Sequence, residues 1–247
     1  MLKIFIDFDG TITRQDVGDS IFETFGSVKC RDIIQQYRDG TITAVDCFQQ
    51  ECEACGIVDR QALNVFLDQQ EIDPSFVEFD NFCRRQNLEF TIVSDGMDYY
   101  INRIFKNHEI EGTQVFANTL ELITVNGTST VRFKPSFPYR DEVCNRCACC
   151  KRNIILTTSG DDDIIVFIGE GYSDRCPARY ADIVFAKDDL LKFCRQENIS
   201  YYEYQSFADV IQRLKKLLNA IRPDGTILGV RKRRRAEFAR REVFIGG

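Results

Sequence analysis

Asp7 and Asp9 stand two positions apart in the run Phe5-Ile6-Asp7-Phe8-Asp9-Gly10-Thr11-Ile12, where an apolar stretch gives way to polar residues. Two carboxylates so placed can hold a hard divalent cation such as Mg²⁺ and can present an oxygen nucleophile to phosphorus. Taken alone the pair would also suit a turn, since acidic residues often end strands. Ser94 and Asp95 close a second apolar run at 90–93, and Glu170 and Asp174 follow a third at 164–168. Acids scattered through independent loops would not keep this placement.

The elements that must carry these residues follow from the apolar pattern. Residues 2–8, 90–93, 164–168 and 183–186 read as short buried strands, each flanked by helical periodicity. Strands alternating with helices imply a mainly parallel sheet covered on both faces. Ligands bind such sheets outside the carboxyl ends of the strands, which is where the three polar groups fall. Between the first two strands the apolar spacing of Ile33-Ile34-Tyr37, Val45-Phe48 and Ala62-Leu63-Phe66-Leu67 is helical, with breaks at Gly26, Gly40 and Gly56. That segment is too long for one crossover, so it reads as an insertion. The expected fold is therefore α/β, a Rossmann-like parallel sheet core with a small inserted helical cap. Core residues are 1–13 and 80–220, the cap is 14–79, and 221–247 form a basic C-terminal tail. Stretches 120–125 and 128–133 flank Asn126-Gly127, the signature of a two-residue β-hairpin.

Composition excludes several classes. With 247 residues, 44% of them hydrophobic, the chain can bury a sizeable core, and no apolar run approaches a membrane span. Asp7 and Asp9 interrupt the place where an export signal needs its apolar segment, so the protein is expected to be cytoplasmic. A formal charge of −6 argues against nucleic acid as a general partner. Eleven cysteines, an odd number, argue for reduced thiols over a disulfide framework. The single histidine, His108, leaves no basis for a histidine-dependent phosphatase.

Asp7-Phe8-Asp9-Gly10-Thr11, then Ser94, then Lys151, then Gly169-Glu170-Gly171-Tyr172-Ser173-Asp174 resembles the four ordered motifs of the haloacid dehalogenase superfamily of phosphotransferases, with coverage to about residue 215. The run continuing through Arg175-Cys176-Pro177-Ala178, with Ala181 to Lys187 after it and Cys149-Cys150-Lys151 before it, resembles a narrower branch. That phosphoserine-phosphatase-like branch includes the methionine-salvage diketo phosphatases and the phosphocholine/phosphoethanolamine phosphatases.

The resemblance implies a phosphomonoesterase acting on a small phosphorylated metabolite. Asp7 is the nucleophile that becomes an aspartyl phosphate. Asp9 protonates the leaving oxygen and then activates water, and its backbone carbonyl helps to hold the metal. Mg²⁺ is the implied cofactor, held by Asp7, Asp9, Glu170 and Asp174. Ser94 and nearby backbone N–H groups, Gly96 among them, bind phosphoryl oxygens, and Lys151 supplies a fixed positive charge to the same oxygens. Glu170 departs from the aspartate usual in this branch, and its extra methylene alters the reach of the carboxylate.

Bland readings stand beside these. Ser94 can cap a helix starting near Met97, and Lys134 competes with Lys151 for the lysine role. Asp16 and Asp95 can bind a cationic substrate group, or they can cap the first cap helix and shape a turn. Cys144, Cys147, Cys149 and Cys150, with Cys52 and Cys55, can pack a loop or ligate zinc. Arg231 to Arg235 with Arg240 and Arg241 can be a solvated helix, a patch docked on the acidic body or a partner, or a nucleic-acid contact. A phosphate-binding regulatory protein of weak activity is the alternative function on the same fold. The oligomeric state is left open.

Overall fold

The computed structural model describes residues 1–245 other than 126, 143, 145 and 234. In chain order the strands are β1 (Leu2–Ile6), β2 (Val58–Asp59), β3 (Phe90–Met97), β4 (Gln114–Thr124), β5 (Thr130–Ser136), β6 (Ile164–Gly169), β7 (Ile183–Ala186) and β8 (Tyr202–Glu203). Helices separate them except between β4 and β5, so the chain is α/β as its pattern predicts. It divides into two compact units. One comprises Met1–Asp7, Ile72–Val93 and Lys151–Gly247, and the other Phe8–Glu71 and Ser94–Cys150.

In the first unit β1 pairs in parallel with β3 on one side and β6 on the other, β6 with β7, and β7 with β8. Strands buried on both faces must be apolar throughout. Ile4, Phe5 and Ile6 of β1, the stretch 165–168 of β6 and all of β7 are accordingly buried. Helix Phe207–Leu218 turns Phe207, Val210, Ile211, Leu214 and Leu217 inward at helical spacing. Its start is secured twice. Asp209 accepts from the Ser206 N–H at 3.1 Å, and Asp73 accepts from the Phe207 N–H at 2.9 Å. Phe76, Phe79 and Phe207 pack ring against ring, with Phe76 and Phe207 centroids 4.8 Å apart.

The C-terminal tail docks on this unit. The Arg233 N–H donates to buried Asp182 at 2.6 Å, and its guanidinium reaches the carbonyls of Ala178 and Ser200. Arg240 pairs with Asp161 at 2.7 Å. Asp182 also accepts from the Ile165 N–H, so these contacts gather at the amino ends of β6 and β7. Of the basic run, Arg234 lies outside the described residues.

The second unit holds the helices Val17–Phe25, Lys29–Arg38, Ala44–Cys55 and Arg60–Asp68, which end where Gly26, Gly40 and Gly56 break the pattern. Helix Ala44–Cys55 begins with a capping box in which Thr43 and Asp46 exchange hydrogen bonds. It packs on β5. β4 and β5 pair antiparallel from Thr119↔Ser136 to Thr124↔Val131, as the hairpin signal predicts, although Asn126 of that signal lies outside the described residues. Helix Asp98–Asn107 is fastened to helix Arg60–Asp68 by a two-pronged contact from Arg103 to Asp68, 2.7 Å on each prong. Among the described residues, no helix is long and apolar enough to cross a membrane.

Candidate active site

Asp7 follows β1, a strand too apolar to leave the interior, and is itself buried. Lys151 opens helix Lys151–Thr158 and is only 1% exposed. Its Nζ lies 2.6 Å from Asp7 Oδ1, 2.6 Å from Asp174 Oδ1 and 2.9 Å from the Ser173 hydroxyl. Burial by itself would push the ammonium pKa down, but the charges of Asp174 and Asp7 outweigh it and raise the value. The lysine stays charged. Lys134, the competing candidate, sits in β5 paired to Glu121 at 2.9 Å and mostly exposed.

Asp174 is fully buried, yet both of its carboxylate oxygens have polar partners. Its Oδ2 accepts from the N–H groups of Glu170 at 2.9 Å and Gly171 at 3.0 Å. The carboxylate lies so close to the Gly169 backbone that a Cβ there would strike Asp174 Oδ2, which is the reason for glycine at that position. Glu170 is half-buried. Burial first, then the charges of Asp174 and Asp188, push its carboxyl up to about 7.

Asp7, Glu170 and Asp174 offer only hard oxygen donors, which suits Mg²⁺. Among the described residues no three acidic, histidine or cysteine side chains form a ready-made metal cage. Mg²⁺ does not ask for one. It keeps several waters and binds through one or two carboxylates together with phosphate. The donor chemistry fits. The same observation bears on the cysteines, because a closed zinc site needs four converging ligands. Cys144 and Cys147 sulfurs are 3.8 Å apart, while Cys149 turns its thiol to the Phe116 carbonyl. Cys52 and Cys55 are buried in the helix Ala44–Cys55.

Within the second unit Asp9 gathers its own partners. Its Oδ2 accepts from the Tyr100 hydroxyl at 2.6 Å and from the Ser94 hydroxyl at 3.4 Å, and its Oδ1 accepts from the Val17 N–H at 3.0 Å. Burial raises the Tyr100 pKa well above the ordinary value, with the charges of Asp9 and Asp16 adding to it. Tyr100 therefore remains a donor. A Cβ on Gly96 would collide with the Tyr100 hydroxyl and Asp9 Oδ2, so only glycine leaves room for their contact. The Gly96 N–H donates to Ser94 Oγ at 2.9 Å.

Three residues with alternative sequence readings can be placed here. Ser94 is not a helix cap. β3 runs on through Met97, helix Asp98–Asn107 starts at the next residue with Met97 as its N-cap, and the Ser94 hydroxyl turns to Asp9 instead. Asp95 is a turn-former, with Oδ1 accepting from the N–H groups of Ala148 at 2.7 Å and Cys149 at 2.6 Å. Asp16 caps helix Val17–Phe25, accepting from the Asp19 N–H at 2.8 Å. Tyr100 and Ser173 were missed. Ser173 sits inside the last acidic motif. Tyr100 leaves as its only trace a hydroxyl on the helical face that otherwise buries Ile101, Ile104 and Phe105.

Comparison with known proteins agrees with this chemistry. A family model described as Putative Phosphatase matches residues 2–207. Pdp3-interacting factor 1 of Schizosaccharomyces pombe is 30% identical over 224 residues, covering 87% of this chain and 96% of that protein. A protein of Bacillus mycoides named 2-hydroxy-3-keto-5-methylthiopentenyl-1-phosphate phosphatase is 29% identical over 218 residues, covering 88% and 97%. Among solved structures, a phosphoserine phosphatase held as a phospho-aspartyl intermediate analogue is similar with a TM-score of 0.62 at 18% identity, covering 86% of this chain and 98% of that one. At that identity the likeness is one of fold.

Proposed function

The chain belongs to the putative phosphatase family and is a phosphoric monoester hydrolase, and from that premise we propose that it dephosphorylates a small cytoplasmic metabolite through an aspartyl phosphate on Asp7, with Mg²⁺ as cofactor. The observation that carries this reading is the buried Lys151 ammonium 2.6 Å from both Asp7 Oδ1 and Asp174 Oδ1. A cation kept charged beside the nucleophile lowers the cost of bringing an anionic phosphate to an anionic carboxylate. Bound Mg²⁺ would supply further neutralisation of the phosphoryl charge, with Asp7, Glu170, Asp174 and the backbone carbonyl of Asp9 as its ligands.

An Asp7 carboxylate oxygen forms a bond to phosphorus as the ester P–O bond breaks, and Asp9 delivers its proton to the departing oxygen. In the second step Asp9, now a carboxylate, takes a proton from water as that water attacks phosphorus and Asp7 leaves. Tyr100 and the Val17 N–H fix the direction in which Asp9 points. Ser94 and the Gly96 N–H are assigned to the phosphoryl oxygens. Residues 14–79 are assigned as the cap that selects the leaving group, and 1–13 with 80–220 as the catalytic core.

Asp16 and Asp95 each accept backbone N–H groups through Oδ1, which supports a structural role for both. We therefore favour an uncharged leaving group, of the kind named for the Bacillus relative. The test is hydrolysis of 2-hydroxy-3-keto-5-methylthiopentenyl-1-phosphate, phosphoethanolamine, phosphocholine, phosphoserine and an aryl phosphate, with and without Mg²⁺, by wild type and Asp7→Asn. Turnover that needs both Mg²⁺ and Asp7 supports the mechanism. Turnover retained by Asp7→Asn, or none by wild type on any ester, overturns it.

A further inference from the structure

Four non-glycine residues have positive φ among the described residues: Asn87, Glu109, Asp188 and Asn198. Three of them are ordinary. Asn87, Glu109 and Asn198 each stand two residues beyond the last residue of a helix, at Arg85, Asn107 and Gln196, where a left-handed residue is the common way to end. Asp188, at φ +48°, is at the opposite kind of place, the start of helix Asp188–Gln196 directly after β7. No helix start calls for that conformation, and the charge of Asp188 is felt by the Glu170 carboxyl. Strain without a local reason points to a demand from elsewhere.

The demand comes from the last acidic motif. Two residues on, the Leu190 N–H donates to the carbonyl of Glu170 at 2.7 Å, and Leu190 is fully buried. On its other side the Glu170 N–H donates to Asp174 Oδ2 at 2.9 Å. The backbone of Glu170 is therefore clamped from both directions. One clamp is Asp174 itself, and the other exists only because the chain reverses sharply on leaving β7. Tyr204 adds a third tie at the same strand ends, its hydroxyl donating to the Gly169 carbonyl at 3.4 Å.

We propose that Asp188 is a positioning residue for cation binding: its left-handed turn aims the Leu190 N–H at Glu170 and so sets how far the longer glutamate side chain reaches toward the cation. This rests on the reading of Glu170 as a Mg²⁺ ligand. Glutamate is one methylene longer than the aspartate it replaces, so its carboxylate can match the same cation only if its backbone is held farther back and does not drift. The Asp188 charge acts on the Glu170 carboxyl as well, but the reach of the glutamate is set by the backbone conformation at 188. Residues that enter the left-handed region readily should therefore substitute, and those that avoid it should not.

The test is the Mg²⁺ dissociation constant of the full chain by isothermal titration calorimetry, for wild type, Asp188→Ala, Asp188→Asn and Asp188→Gly, with amide hydrogen exchange at Leu190 alongside. Asp188→Ala is expected to bind Mg²⁺ about tenfold more weakly and to exchange the Leu190 amide faster. Asp188→Gly and Asp188→Asn should stay within about twofold of wild type, since both accept positive φ. Equal weakening in Asp188→Gly and Asp188→Ala would transfer the effect to the carboxylate and overturn the proposal. An unchanged constant in Asp188→Ala would overturn it too. Should wild type itself bind no Mg²⁺, the assignment of Glu170 as a ligand fails, and slower Leu190 exchange in Asp188→Gly than in Asp188→Ala would still report the turn.

Discussion

Lys151 Nζ and Asp7 Oδ1 are 2.6 Å apart and both side chains are all but hidden from solvent, so the Asp7 carboxylate and its counter-charge are a single buried unit. Removing one partner strands the other, at a cost of about 3–5 kcal/mol for a buried pair. Lys151→Met should therefore lower the melting temperature and reduce turnover on every ester in the panel by about 100–1,000-fold. Asp7→Asn should be as inactive but more stable than Lys151→Met, because Lys151 keeps Asp174. Differential scanning calorimetry with single-turnover assays separates the two, and a Lys151→Met enzyme with wild-type stability would contradict the pairing.

Tyr100→Phe deletes one hydroxyl, the one 2.6 Å from Asp9 Oδ2, and leaves the ring in place. The expected loss is about 10–100-fold in kcat, within the range of a misplaced general acid, with little change in KM. Gly96→Ala should be worse than Tyr100→Phe because its methyl strikes both Tyr100 and Asp9. Steady-state kinetics of both variants on one aryl phosphate would show the order.

Asp95→Ala frees the N–H groups of Ala148 and Cys149, in the loop that runs directly into Lys151. Its damage should fall equally on phosphoethanolamine and on a neutral ester. A KM raised for phosphoethanolamine alone would make Asp95 a reader of cationic substrates instead.

Glu51 provides a pH signature away from the chemistry. It is buried in helix Ala44–Cys55, and burial, then the charge of Asp19, push its carboxyl from an ordinary 4.5 up to about 8. The folded state holds this proton across a range in which the unfolded chain has released it. The folded state then binds more protons, so stability falls as pH rises. The contribution is complete below about pH 4.5 and disappears as pH passes 8. Melting temperatures measured from pH 5 to 8.5 should decline in wild type and decline less in Glu51→Gln, the variant gaining most at the alkaline end.

Truncation after residue 230 removes Arg233 from buried Asp182 and Arg240 from Asp161. An unpaired buried acceptor costs about 1–3 kcal/mol, so the melting temperature should fall by several degrees. These contacts lie at the amino ends of β6 and β7, whereas Glu170 and Asp174 follow the carboxyl end of β6. Residual enzyme below its melting temperature should keep its KM. The basic block is in this way a docked strap for the first unit, one of the alternatives its charge left open.

The sequence by itself determined the strands that are buried on both faces, because such strands have no polar position to spare. The stretch 183–186 was legible to the residue, and β1 and β6 to within two. It also determined the acidic motifs, since cation and phosphate chemistry restricts the residue types. The two-residue strands β2 and β8 carry too little pattern to be read. Only the tertiary structure decided which lysine is buried against Asp7, that Asp95 holds a loop, and that Tyr100 faces Asp9 across the space left by Gly96. Each of those depends on residues far apart in the chain meeting at hydrogen-bond distance. Composition and periodicity record how a residue prefers to sit, whereas the partner it meets is settled by how the elements pack.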